Sequence, residues 1–245
     1  MSKTGLIIQA RLGSNRLPEK ILKHIQGKPV LELFLERAKR ITGLDEIIIA
    51  TTDQSEDDQI LEFCKKMNLP CFRGSTADVL DRFFQASKQF KLDHILRITS
   101  DCPLFDPQLS SEVVAFYHQN PKLDQASNNS SHLYPHGLDT EIFSFDALQK
   151  AALEAKASFE REHVTPFIRD LKNSFQLGQA PQSLPSKIYS HYRWTLDYPE
   201  DFEFIKRIYD ELYLQKPEFT SMDIIELISQ KPELLKINEM RIQKF

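Results

Sequence analysis

The sequence predicts an α/β fold, a mostly parallel sheet sandwiched by helices. Two observations carry this. Short β-branched runs alternate with stretches of helical period at close intervals through the first hundred residues, the pattern of a doubly covered parallel sheet. The most chemically loaded residues, the loop after residue 10 and Asp101, fall just after two of those runs. In such sheets ligands bind at the carboxyl ends of the strands.

Residues 5–10 (GLIIQA) read as a short buried strand and 11–27 as a polar, irregular segment. Pro29 suits the first position of a helix, where its missing N–H is not needed. Val30, Leu31, Phe34, Ala38 and Ile41 then recur at helical spacing. Residues 46–51 (EIIIAT) make a second strand. A helix over 57–67 puts Ile60, Leu61, Cys64 and Met67 on one face, and 69–72 form a third strand. The next helix, 78–90, turns Val79, Leu80, Phe83, Ala86 and Phe90 inward, and 94–99 (HILRIT) return to strand. A helix with Val113, Val114, Phe116 and Tyr117 follows Pro107.

The second half is less regular. Residues 127–137, rich in Asn, Ser and His, read as a loop, 138–143 as an edge strand, and 146–156 and 162–172 as helices. Residues 189–197 (YSHYRWTLD) alternate as a strand does. Pro199 opens a helix carrying Phe202, Ile205, Tyr209 and Leu212. Thr220, with Asp223 three residues on, caps a last helix over 222–230.

The 245 residues suffice for one large α/β domain, and no linker divides them. A formal net charge of −4 argues against a nucleic-acid coat. Three cysteines, Cys64, Cys71 and Cys102, are too few and too irregular for a disulfide framework or a thiolate zinc site; reduced thiols in a cytoplasmic protein are the simple reading. No run approaches the length of a membrane span or a signal-peptide core.

Three clusters carry chemistry. Arg11, Arg16 and Lys20 follow the first strand within ten residues, with Gly13 and Ser14 between them. Guanidinium forks and an ammonium suit phosphate oxygens, and a tight turn adds amide donors. A solvated basic loop explains the same composition equally well. Asp101, in RITSDCP, ends a strand where a carboxylate could hold a hard cation; capping the turn before Pro103 is the commoner use. Asp197, in RWTLDYP, repeats that context and also fits as an N-cap for the helix at Pro199.

Together the clusters resemble one family. QARLGSNRLPEKIL looks like the signature of cytidylyltransferases that make CMP-activated acidic sugars. The chain is more closely similar to the SpsF-type proteins of spore-coat polysaccharide synthesis. FRGSTADVLDRFFQA, ILRITSDCPLFDP, HGLDTEIFSFDAL, EREHVTPFI and RWTLDYPEDF continue the match in family order over almost the whole chain.

The resemblance implies a Rossmann-like nucleotide-diphospho-sugar transferase fold of the GT-A type over 1–245, its part up to about residue 105 binding nucleotide and the rest binding the acceptor and a second copy. It implies magnesium-dependent transfer of CMP from CTP to an acidic sugar of nonulosonic type, or a similar acidic acceptor, with pyrophosphate released. Gln9, Ala10, Arg11, Leu12, Ser14 and Lys20 would contact the nucleotide, with Arg73, Gly74, Ser75, Asp78, Arg82, Thr99 and Ser100. Lys20, Arg11, Arg16 and Asp101 would act on the reacting phosphates, and Asp101 and Asp197 would hold Mg2+. Asp139, Glu141, Glu162 and His163 would face the acceptor; Glu162 also fits as a first-turn helix carboxylate and His163 as a helix-surface histidine.

The partners expected are thus CTP, the acidic acceptor and a second copy of the chain, with no nucleic acid and no membrane. A glycosyltransferase on a related sheet is the rival, but no Asp-x-Asp metal motif occurs in the chain. A binding module without catalysis would lack Lys20 or one aspartate, and all are present. A phosphonate acceptor or another nucleotide base stays open.

Overall fold

A computed structural model describes residues 2–128, 134–184 and 191–242. Four parallel strands form the first half of a seven-stranded sheet among these residues: β1 (Thr4–Gln9), β4 (Glu46–Thr52), β5 (Cys71–Gly74) and β6 (His94–Arg97), in the spatial order β5-β4-β1-β6. The crossovers carry α1 (Val30–Ala38), α2 (Asp58–Met67) and α3 (Val79–Phe90). These are the segments whose 3.6-residue and β-branched patterns were clear in the sequence.

The period of two sorts β1 between two cores. Leu6 and Ile8 pack with α1, α2 and α4 (Pro107–Gln119) on one face. Ile7 packs with α3 and α5 (Phe145–Glu154) on the other. Helix α1 is buried on two sides: Leu31 and Phe34 face the sheet, while Val30 and Leu33 face α8 (Pro199–Leu212) and α9 (Ser221–Gln230). The C-terminal helices thus form a further layer around Trp194, Phe204 and Phe219, all fully buried.

The sheet continues with β8 (Glu141–Ser144), antiparallel to β6, then β7 (Gln125–Ser127) and β9 (Leu177–Gln179). Here several expectations change. The strand expected at an edge, β8, lies inside the sheet, because three-residue β7 and β9 are too short to show any alternation. The helix expected over 162–172 is broken: α6 (Ser158–His163) ends at Val164, whose φ is 71°, and α7 (Pro166–Arg169) starts anew. Glu162 is therefore in the last turn of its helix, not the first. The strand expected over 189–197 begins outside the described residues, and the rest forms a single parallel bridge, His136 with Arg193. The segment 11–27 hides a hairpin, β2 (His24–Ile25) with β3 (Lys28–Pro29), turned by Gln26 and Gly27, both at positive φ. That is the backbone of a primed two-residue turn. Pro29 closes this hairpin, and the helix starts one residue later.

Candidate active site

The loop after β1 is fastened from below. Leu12 and Leu17 are buried, as is Ile21 in a short 3-10 turn, Lys20–Leu22. The Leu12 N–H donates to the buried Asp57 carboxylate at 2.7 Å, and the Ser14 N–H to the Leu12 carbonyl at 2.7 Å. With the leucines anchored, Arg11, Ser14, Arg16 and Lys20 stay on the open side. Leu12 contributes packing and its side chain does not line the cavity above.

Lys20 is the centre of the site. Its ammonium donates to Asp101 Oδ2 at 3.2 Å, Asp197 Oδ1 at 3.0 Å and the Leu196 carbonyl at 2.7 Å. The two aspartates are brought together by backbone: the Leu196 N–H and the Thr195 hydroxyl both donate to the Asp101 carbonyl, at 2.7 and 3.1 Å. Burial alone would lower the Lys20 pKa, but the Asp101 and Asp197 carboxylates outweigh it and hold it above its ordinary value.

Asp197 also meets Arg16 at 3.1 Å and Arg193 at 2.9 Å. Burial would raise its pKa; Lys20 and Arg16, then Arg193, more than reverse that and hold it below the usual carboxylate value. Behind it, Asp201 is fully buried and grips Arg193 through Nε and Nη2, both at 2.9 Å. The same carboxylate accepts the N–H groups of Asp197 and Tyr198 and the side-chain amide of Asn238. Asp201 thus fixes the backbone that aims Asp197. The Arg16 and Arg241 guanidinium groups lie over the Tyr198 ring, at 4.9 and 4.0 Å from its centre.

Arg16, Lys20, Asp101 and Asp197 border a cavity of about 440 Å³. Of the residues expected from the sequence, it brings together Gln9, Ala10, Arg11, Ser14, Arg16, Lys20, Arg82, Thr99, Ser100, Asp101, Glu162, His163 and Asp197. Arg82 is 2% exposed; burial first, then Arg11 beside it, lowers its pKa to about 10. An arginine held that way gains from an anion that relieves both burdens.

Other expected residues lie outside this lining. Arg73 braces the backbone, donating to the Thr52 and Gln54 carbonyls and to Asp58. Gly74 and Ser75 shape the turn into α3; the Ser75 carbonyl accepts from Arg82. Asp78 caps α3 and pairs with Arg161 on α6. Glu141, buried, is taken up by Arg97, Thr165 and Gln125 and leaves the cavity wall to Arg97. Asp139 is outside the lining too and accepts the Gly137 N–H at 3.2 Å.

The sequence reading missed Asp57, Arg97, Arg161, Asp201 and Asn238. Each works through a partner far along the chain or, for Asp201, inside a helix start that masks it as an ordinary cap. Arg161 next to Glu162, and Arg97 at the end of the strand that leads to Asp101, were the visible signals.

The family model that describes cytidylyltransferases matches residues 6–226. The chain belongs to the cytidylyltransferase family. It is 31% identical to the spore coat polysaccharide biosynthesis protein SpsF of Bacillus subtilis, over 95% of this chain and 97% of that one. It is 28% identical to the 3-deoxy-manno-octulosonate cytidylyltransferase of Elusimicrobium minutum, over 80% of this chain and 77% of that one. Among solved structures, a cytidylyltransferase from Leptospira borgpetersenii superposes with a TM-score of 0.88 at 32% identity, covering 96% of this chain and 97% of that one. The cytidylyltransferase fold and the transferase class that the sequence suggested are both found. Among the described residues no helix is long and apolar enough to cross a membrane.

Proposed function

We propose that this cytidylyltransferase moves CMP from CTP to an acidic sugar with magnesium bound, for surface glycan synthesis, acting as a cytoplasmic homodimer. One observation carries the site assignment: Lys20 joins Asp101 and Asp197 through a single ammonium. Arg11, Arg16, Arg82 and Lys20 face the cavity with Ser14 and offer forks, a point charge and a hydroxyl to a triphosphate. The names of the SpsF and 3-deoxy-manno-octulosonate relatives favour a sugar acceptor that carries a carboxylate.

Asp101 and Asp197 fit magnesium. Their oxygens converge on one cationic point. Among the described residues no group of three or more His, Cys, Asp and Glu side chains could hold a metal. A hard ion held by two carboxylates, with phosphate and water oxygens completing its shell, is how magnesium is ordinarily bound. When bound, it supplies charge neutralisation between phosphate oxygens and a lowered pKa for an acceptor hydroxyl. Lys20 and Arg16, drawn from the aspartates toward phosphate, would stabilise charge growing on the leaving pyrophosphate. Transfer needs acceptor oxygen, α-phosphorus and leaving group in line, and positioning of that kind would be the work of the cavity walls.

Pyrophosphate release tests the proposal. The protein is incubated with magnesium, each nucleoside triphosphate, and a panel of nonulosonic acids, ketodeoxyoctonate and phosphonates. CTP with an acidic sugar is expected to give release. No release with any acceptor, together with tight binding of UDP- or GDP-sugars, would sink it in favour of glycosyl transfer.

A further inference from the structure

We propose that Arg97 receives the carboxylate of the acceptor. This rests on the acidic-sugar reading above and adds the contact that selects for it. Arg97 is the last residue of β6, in register with Ile7 of β1 on one side and Glu141 of β8 on the other. It therefore stands where the parallel half of the sheet, with the loop that carries Lys20, meets the antiparallel half. It lines the same cavity as Lys20 and Asp101.

Its guanidinium is only partly used. Nη1 donates to Glu141 Oε2 at 2.7 Å. Nη2 reaches Gln9 Oε1 only at 3.5 Å, a marginal bond, and Nε is buried with no acceptor among the described residues. Nη2, beside the cavity residue Gln9, is the donor left with capacity for a ligand, and a carboxylate is the group that best matches a guanidinium. Glu141 does not cancel the local charge, for it also faces Arg169 Nε at 3.8 Å. Two guanidinium groups share one carboxylate, so Glu141 is not committed to Arg97 alone.

The chemistry of the acceptor fits this position. In a 2-oxo sugar acid the anomeric carbon carries both the carboxylate and the hydroxyl that attacks phosphorus. A carboxylate anchored at Arg97 fixes that nucleophile one carbon away, in the cavity that also presents Lys20 and Asp101. Such fixing is worth large effective concentrations when the geometry is right. A neutral sugar has no group to place there.

The test measures binding apart from transfer. Wild type, Arg97→Lys and Arg97→Met are loaded with magnesium and α,β-methylene-CTP, which cannot release pyrophosphate. They are titrated with ketodeoxyoctonate, N-acetylneuraminate and pyruvate, and with the carboxamide of each. Arg97→Met is expected to weaken binding of the acid that wild type prefers on the order of 10- to 100-fold. Arg97→Lys, a charge without the fork, falls between, and the neutral amides bind all three proteins alike. If the Met variant does not fold, the Lys variant decides, because its affinity must fall for the acid and hold for the amide. Equal acid binding by wild type and variants, equal losses for acid and amide, or no acid bound by wild type each overturns the assignment. Acid binding that depends on Arg97 without pyrophosphate release from CTP would instead sink the transfer reading and leave Arg97 standing.

Discussion

At the scale of the residue, position in the ion-pair network separates chemistry from architecture. Asp101 is about a third exposed and Asp201 is fully buried, although both are aspartates of one site. Asp101→Asn keeps the shape and removes one of the two carboxylates proposed to hold magnesium beside the phosphates. We expect turnover to fall by about 100- to 1000-fold, the usual loss of one key electrostatic group, with the urea midpoint nearly unchanged. Turnover near the wild-type rate would reject its role. Asp201→Ala should do the reverse damage: Arg193 is left buried and unpaired, and two N–H groups lose their acceptor. Such a loss costs about 3–5 kcal/mol, read as a large fall in the urea midpoint. Lys20, Asp101 and Asp197 could be read from the sequence because each stands in a short, charged run. Asp57 and Arg97 were harder to place, because the partners that define their roles, Leu12 and Glu141, lie 45 and 44 residues away.

At the scale of the element, the same helix junction holds fold and site together. Asp78 accepts the Asp81 N–H at the start of α3 and pairs with Arg161 of α6, the helix that carries Glu162 and His163 to the cavity. Asp78→Ala removes cap and pair at once, and is expected to cost about 1–2 kcal/mol. Asp78→Asn keeps a capping oxygen and removes the charge, so it should cost less; chemical denaturation ranks the two. An Asn variant as unstable as the Ala variant would show that the ion pair, not the cap, dominates. Helices α1, α2 and α3 were legible because each buries one face against a sheet and so repeats with its own period. Strands β7 and β9 and the hairpin at Gln26 were not, since two or three residues hold no period. The break at Val164 escaped notice because a buried β-branched residue at positive φ is disfavoured locally and is kept there by its packing.

At the scale of the molecule, the half of the chain with regular crossovers was legible and the covering half was not. The C-terminal layer places Asn238, outside the stretch matched by the family model, against Asp201 and the Arg193 carbonyl. The far end of the chain thereby braces the turn that aims Asp197. The network also sets a pH window. Asp197 is held below its ordinary pKa of 3.8, so its contribution to stability is complete above that value and is lost as pH falls through the lower folded value. Lys20, held above 10.5, contributes fully below that value and loses its share as pH climbs through the higher folded one. Urea unfolding between about pH 2 and 6 should therefore show an acid slope that Asp197→Asn reduces. An unchanged slope in that variant would remove Asp197 from the account.

Holding two aspartates makes Lys20 a poor trap for simple anions. A loop of unpaired cations would collect sulfate or chloride from the medium. Here a bare anion must strip the ammonium from both carboxylates and leave them facing each other. A triphosphate bringing its own divalent cation would exchange partner for partner, its phosphate taking the place of carboxylate at Lys20 while Asp101 and Asp197 would hold the metal. On the proposed chemistry the Lys20, Asp101 and Asp197 triad would act as an ion exchanger, taking a metal–phosphate chelate more readily than a bare anion.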